Sequence, residues 1–199
     1  MNKSNENQDT GVKLIKFAAL NLNKDFIVDD EKDTAQLQWS SRMGYPRITV
    51  FTTRNTHTDG KFNYNTMIKA PFDYVTIDIL LQRFKSVLSS DDVVSYDIGC
   101  YNNTYVNNER TSSVDLAATV RIGRDDSGVV YISVLEKDKA KIKFSLLPSK
   151  TYFKFYDKNK EVITDKKVLS NLYANAYYKR LNFILNLNTN NDVNRDKMV

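Results

Sequence analysis

Three lysines at alternate positions, Lys139, Lys141 and Lys143, are the residues of this chain best placed to do chemistry. Ala140, Ile142 and Phe144 fill the other parity. In an extended strand side chains alternate faces, so one side is buried and the other presents three ammonium groups. A second alternation follows, with Tyr152, Lys154 and Tyr156 set against Phe153 and Phe155. Lysines neutralise phosphates, and flat rings stack on unpaired bases at roughly 1–3 kcal/mol per base. Together with Arg47 and Phe51, this pattern suits single-stranded nucleic acid. The competing reading is a solvated lysine face that protects an edge strand from aggregation, with the aromatics in the core. Arg121 and Arg124 flank Gly123. They could clamp a phosphate or pair with Asp125 and Asp126 at the surface.

Nucleophilic catalysis finds no support. The lone histidine, His57, falls in a turn, so neither a Ser-His-Asp nor a Cys-His arrangement has a second candidate histidine. The single cysteine, Cys100, lies in a strand and reads as a small buried apolar residue. One Cys and one His exclude metal ligation by those residue types and exclude an internal disulfide. The acidic pairs Asp29-Asp30, Asp91-Asp92 and Asp125-Asp126 fall in loops or turns, where Asp is common for backbone reasons. A metal-dependent nuclease wants carboxylates and a lysine closely spaced on adjacent strands. Glu136-Lys137-Asp138-Lys139 comes nearest and lacks that spacing. Six glycines leave no phosphate-cradling loop. No catalytic residue, metal or cofactor is therefore expected.

The elements that must position these residues follow from periodicity. Leu116 to Leu147 reads as three consecutive strands, with Asp125-Asp126-Ser127-Gly128 as the first turn. Tyr45 to Thr53 and Lys61 to Ala70 read as a hairpin around Asp59-Gly60, and Val93 to Tyr101 as a further strand. Pro71 is expected to open a helix with an apolar stripe of Phe72, Val75, Ile79, Leu80, Phe84, Val87 and Leu88. A second helix starts near Thr164 as its N-cap, with Asp165 in its first turn. Its buried face reads as Leu169, Leu172, Tyr173, Ala176, Phe183 and Ile184, and it frays from Asn186. Asn23 to Gly44 reads as a long acid-rich connection, a docking segment if the chain binds protein, and Asn102 to Ser113 as a polar loop. The expected fold is α+β, a mostly antiparallel twisted sheet of about seven strands with two main helices. Residues 1–11 and 189–199 read as disordered tails around one domain at 12–188.

The 199 residues carry a net charge of +5. That permits nucleic acid or an anionic membrane as partner without requiring either. The bias is local. From Lys137 to Lys160, eight lysines face only Asp138 and Asp157, a net +6. No apolar run is long enough to span a bilayer and no apolar signal core opens the chain, so a cytoplasmic protein with no membrane partner is expected.

Several stretches together carry a resemblance. They are Tyr45-Pro46-Arg47-Ile48, Lys69-Ala70-Pro71-Phe72-Asp73, Arg121 to Asp126, Gly128 to Ser133, Lys141-Ile142-Lys143-Phe144 and the tyrosine-rich helix from Tyr173 to Tyr178. Over most of Tyr45 to Ile184 the chain resembles small bacteriophage single-stranded-DNA-binding proteins, in particular the Drc-type RNA polymerase cofactors of podoviruses. The resemblance implies a non-enzymatic protein that binds single-stranded DNA in the cytoplasm of an infected bacterial host. It further implies recruitment of phage RNA polymerase, in support of transcription or replication, and self-association into a homo-oligomer. One departure stands out: Asp192 and Asp196 are balanced by Arg195 and Lys197, so partner recruitment through these residues as an acidic tail is not expected. The alternative expectation is a phage structural or protein-interaction module without nucleic-acid binding.

Overall fold

Alternating apolar residues build two antiparallel sheets. The computed structural model describes residues 15–16, 20–28, 31–42, 45–52, 63–107, 109–137, 139, 141–148 and 154–195. The first sheet holds β1 (Ile15–Lys16), β2 (Leu22–Val28), β3 (Glu31–Arg42), β4 (Tyr45–Thr52) and β5 (Asn63–Pro71). Its order is β1-β3-β4-β5, with β2 also paired to β3. Helix α1 (Tyr74–Leu88) leads into the second sheet, β6 (Val94–Val106), β7 (Glu109–Arg124), β8 (Val130–Leu135) and β9 (Ile142–Ser145), a meander in chain order. Helix α2 (Lys166–Arg195) follows. The α+β class with two helices matches expectation. The single sheet does not: the described strands divide between two sheets, because α1 interrupts the meander between β5 and β6.

The described residues of the Asn23–Gly44 stretch are not a connection but the antiparallel strands β2 and β3. Ala35, Leu37 and Trp39 are buried on one parity, while Thr34, Gln36 and Gln38 take the other. Asn102 to Ser113 is likewise no loop. It continues β6 and β7 as a two-stranded ribbon paired out to Val106 and Glu109. Asn107, at φ 52°, supplies its left-handed turn residue.

Pro71 ends β5 rather than opening α1, because it still pairs with Arg47, and the Phe72 N–H donates to the Pro46 carbonyl at 2.9 Å. Asp73 is the N-cap, accepting from the Thr76 N–H at 2.6 Å. The buried face of α1 is Ile77, Leu80, Leu81, Phe84 and Val87, whereas Val75 and Ile79 are exposed. In α2 the cap is Asp165 rather than Thr164, because its carboxylate accepts from the Lys167 and Val168 N–H groups at 2.7 and 3.0 Å. Ser170, Ala174, Tyr177, Leu181 and Leu185 are its buried residues, while Leu172 and Phe183 face outward. The helix runs on to Arg195 instead of fraying at Asn186.

The inner faces of both sheets and both helices share one core. At its centre the Trp39 Nε1–H donates to the Tyr177 hydroxyl at 2.9 Å, which donates to the Leu20 carbonyl at 2.8 Å. This relay joins the first sheet, α2 and the segment before β2. No described helix is long and apolar enough to cross a membrane.

Candidate nucleic-acid interface

The outer face of the second sheet is the surface that the late strands create. In β8, Val130, Ile132 and Val134 point into the core, so Tyr131, Ser133 and Leu135 share the outer parity, with Leu135 exposed, Tyr131 half-buried and Ser133 covered. In β9, Ile142 and Phe144 are buried and Lys143 points out. Register places Asp97, Arg121, Ser133 and Lys143 in one row across the four strands, and Ser95, Gly123, Tyr131 and Ser145 in the next. Gly123 is required here. A Cβ on it would stand 2.8 Å from the Tyr131 hydroxyl and 2.7 Å from the Val94 carbonyl, so only glycine lets that ring lie across β7.

The cations around Tyr131 are held by carboxylates. The Lys143 ammonium lies 4.5 Å from the Tyr131 ring centroid, within cation–π range, and also forms an ion pair with Asp125. Burial pushes the Asp125 carboxyl up, but Lys143, the Ser127 hydroxyl and the Val129 N–H outweigh it and hold it at about 2. Arg121 grips Asp97 in a two-pronged bridge at 2.6 Å on each prong. The Arg121 hydrogen bond holds the Asp97 carboxyl below its usual value, and the same bond raises the guanidinium. With Arg121 35% and Asp97 46% exposed, this bridge contributes at most about 1 kcal/mol to stability. Lys141 is exposed and adds its charge near Asp97. Three cations against two carboxylates leave this face a net +1.

Of the residues singled out from sequence, the structure brings Arg121, Lys141 and Lys143 together. Arg121 pairs with Asp97, not with Asp125 or Asp126. Lys139 does not join the strand. The chain turns after Leu135, with the Lys139 N–H bonded to the Glu136 carbonyl at 3.2 Å, and β9 begins only at Ile142. The Lys139 ammonium is tied to the Met67 carbonyl at 2.7 Å and to Glu136 at 2.9 Å.

Arg124 has the opposite parity to Arg121 and is 1% exposed. It donates to the Gly128 carbonyl at 2.7 Å and to the Val87 carbonyl at 3.3 Å. It therefore closes the end of α1 onto the 125–128 turn and has no face toward a ligand. Arg47 and Phe51 are half-buried on β4, in the other sheet, so they are not part of this surface.

Lys154 and Tyr156 are exposed, Tyr156 at 58%, but on a small hairpin outside both sheets. Its Tyr156 and Val162 form a bridge, and the Asp157 carboxylate accepts from the Asn159 and Glu161 N–H groups at 2.9 Å each. Tyr152 and His57 lie outside the described residues, as do residues 1–11 and 196–199.

Tyr131 and Asp97 are the participants that sequence reasoning missed. The signal for Tyr131 was the alternation Val130-Tyr131-Ile132-Ser133-Val134, which puts the ring on the parity of Ser133, away from the three aliphatic residues. Among the described residues no group of three or more His, Cys, Asp or Glu side chains could hold a metal ion. What the chain offers is a half-buried ring on the outer face of a sheet between paired cations. No family model matches its sequence, and neither a curated protein nor a solved structure is significantly similar to it.

Proposed function

We propose that this chain is a non-enzymatic single-stranded-DNA-binding protein of a bacteriophage, acting in the host cytoplasm to support transcription, through recruitment of RNA polymerase, or replication. The phage setting, the polymerase and self-association are supported by the sequence resemblance alone. The binding reading is carried by one observation: the half-buried Tyr131 ring lies across Gly123 on the outer sheet face with Lys143 above it and Arg121 beside it.

The chemistry proceeds by exchange. A base stacking on Tyr131 takes the place of the Lys143 ammonium, which swings to the adjoining phosphate. Arg121 exchanges part of its bridge with Asp97 for a second phosphate, and Lys141 meets the backbone directly. The paired carboxylates keep the empty face close to neutral, so affinity depends on ring stacking as well as on charge.

Fluorescence anisotropy with matched single- and double-stranded oligonucleotides at two salt concentrations tests this. Single strands should bind more tightly. Tyr131→Ala should remove roughly 1–3 kcal/mol of binding free energy, and Lys141→Ala with Lys143→Ala should flatten the salt dependence. Unchanged affinity in both variants refutes the assignment. Cleavage of the oligonucleotide on adding Mg²⁺ or Mn²⁺ would instead establish a nuclease.

A second reading, a phage structural or protein-interaction module, is favoured by the β6–β7 ribbon. It exposes Tyr101, Val114 and Leu116, at 59%, 56% and 52%. Partner binding there would be mostly apolar and would persist at high salt, where phosphate-driven binding falls away.

A further inference from the structure

Beyond Leu135 the outer face of the second sheet runs into a groove, and we infer that this groove is a second nucleotide subsite for the same strand; the inference rests on the single-stranded-DNA reading above. Two adjoining hollows, of about 340 and 380 Å³, share Leu116, Ala117, Glu136, Lys137 and Lys139. Leu116, Ala117 and Leu135 give the first an apolar floor. Lys69, from the other sheet, and Lys137 rim the second, and both are exposed. Lys139 fixes the wall between the sheets through the Met67 carbonyl at 2.7 Å and takes up Glu136, the only carboxylate among the described residues lining either hollow. Among the described lining residues, three ammonium groups stand against one carboxylate.

An apolar floor under a cationic rim matches a base with its phosphate. The base lies on Leu116, Ala117 and Leu135, and the phosphate sits between Lys69 and Lys137. Tyr131 and Leu135 are four residues apart on β8, roughly 13 Å at about 3.3 Å per residue. One nucleotide cannot fill both places, so the groove takes a later nucleotide of the strand that stacks on Tyr131. This would make Lys69 and Lys137 binding residues and would set the length of strand that the protein covers.

Fluorescein-labelled oligothymidines spanning roughly 4 to 16 nucleotides test it, against the wild type, the double variant Lys69→Ala/Lys137→Ala and its rescue Lys69→Arg/Lys137→Arg. With both lysines exposed, melting temperatures should match the wild type. The double variant should bind the shortest oligomers like the wild type. It should lose several-fold affinity for the longest, with a salt slope smaller by about 0.7, the value for one phosphate on a single strand. The arginine variant should restore both. A double variant whose length profile and salt slope equal those of the wild type overturns the groove and leaves the Tyr131 face standing. A wild type that binds no oligomer at any length overturns both.

Discussion

Replacing Asp125 by Asn separates stability from binding more sharply than any other single change. The Oδ1 atom of Asp125 accepts from the Ser127 N–H at 3.1 Å, the Ser127 hydroxyl at 2.7 Å and the Val129 N–H at 2.9 Å. The other oxygen holds Lys143. Asparagine keeps the first set and loses the charge that meets the ammonium. The carboxyl is held at about 2, against 3.8 for an unperturbed group. At about 1.36 kcal/mol per pKa unit this is an upper value of roughly 2.4 kcal/mol. Lys143 is 36% exposed, so solvent screening brings the expected loss to about 1–2 kcal/mol. The folded-state pKa is depressed. The stabilisation is therefore complete above pH 4 and disappears as the pH falls toward 2. Urea unfolding should show the variant weaker at pH 7 and the gap closing through that window. Single-stranded DNA should respond in the opposite sense. Freeing Lys143 takes the face from +1 to +2 and removes its competing carboxylate, so affinity should rise. A variant that binds DNA no better than the wild type would show that Lys143 meets no phosphate. A variant as stable as the wild type at pH 7 would show that the Asp125 pair contributes nothing.

Three further outcomes are expected. Tyr177→Phe removes the hydroxyl between Trp39 and Leu20, leaving two buried polar groups unpaired, and should cost about 2–5 kcal/mol in urea unfolding; a loss under about 1 kcal/mol would mean the relay is not buried as described. Arg124→Met should lower stability by roughly 1–3 kcal/mol through the lost bonds to Gly128 and Val87, with the DNA salt slope unchanged; a flatter slope would put Arg124 on the binding surface. Burial pushes the Cys100 thiol up to about 12, so a disulfide reagent at pH 8 should modify it only after unfolding, and stoichiometric labelling of the native protein would contradict its placement.

The late strands were legible because each sets β-branched or aromatic residues on one parity against polar ones on the other. The same logic applied to Arg121 and Arg124 separates them onto opposite faces, since an odd spacing cannot place two side chains together on a strand. Lys139 failed for a different reason: alternation in sequence has no meaning until pairing begins, and pairing begins at Ile142. Both helices were recognised, but their faces were assigned by apolar residue type. α2 packs through Ser170 and Ala174, and Val130 donates to the Ser170 hydroxyl at 2.9 Å. Close approach favoured small side chains there, while the larger Leu172 and Phe183 turned outward. The β2–β3 hairpin was hidden by its charges, although Ala35, Leu37 and Trp39 alternate cleanly with Gln36 and Gln38. Which cation meets which carboxylate depends on register across strands, and no local pattern in one strand encodes it.

The hydrogen bond from Tyr177 to Leu20 spans 157 positions of chain. During synthesis the first sheet emerges from the ribosome long before α2 is made. Until then the Trp39 indole and the Leu20 carbonyl must be served by water, and the cavity that the last helix will fill stays wet. The nascent protein can thus pair its early strands but cannot dry their inner face, and the sole tryptophan should report that final drying as a late blue shift in its emission.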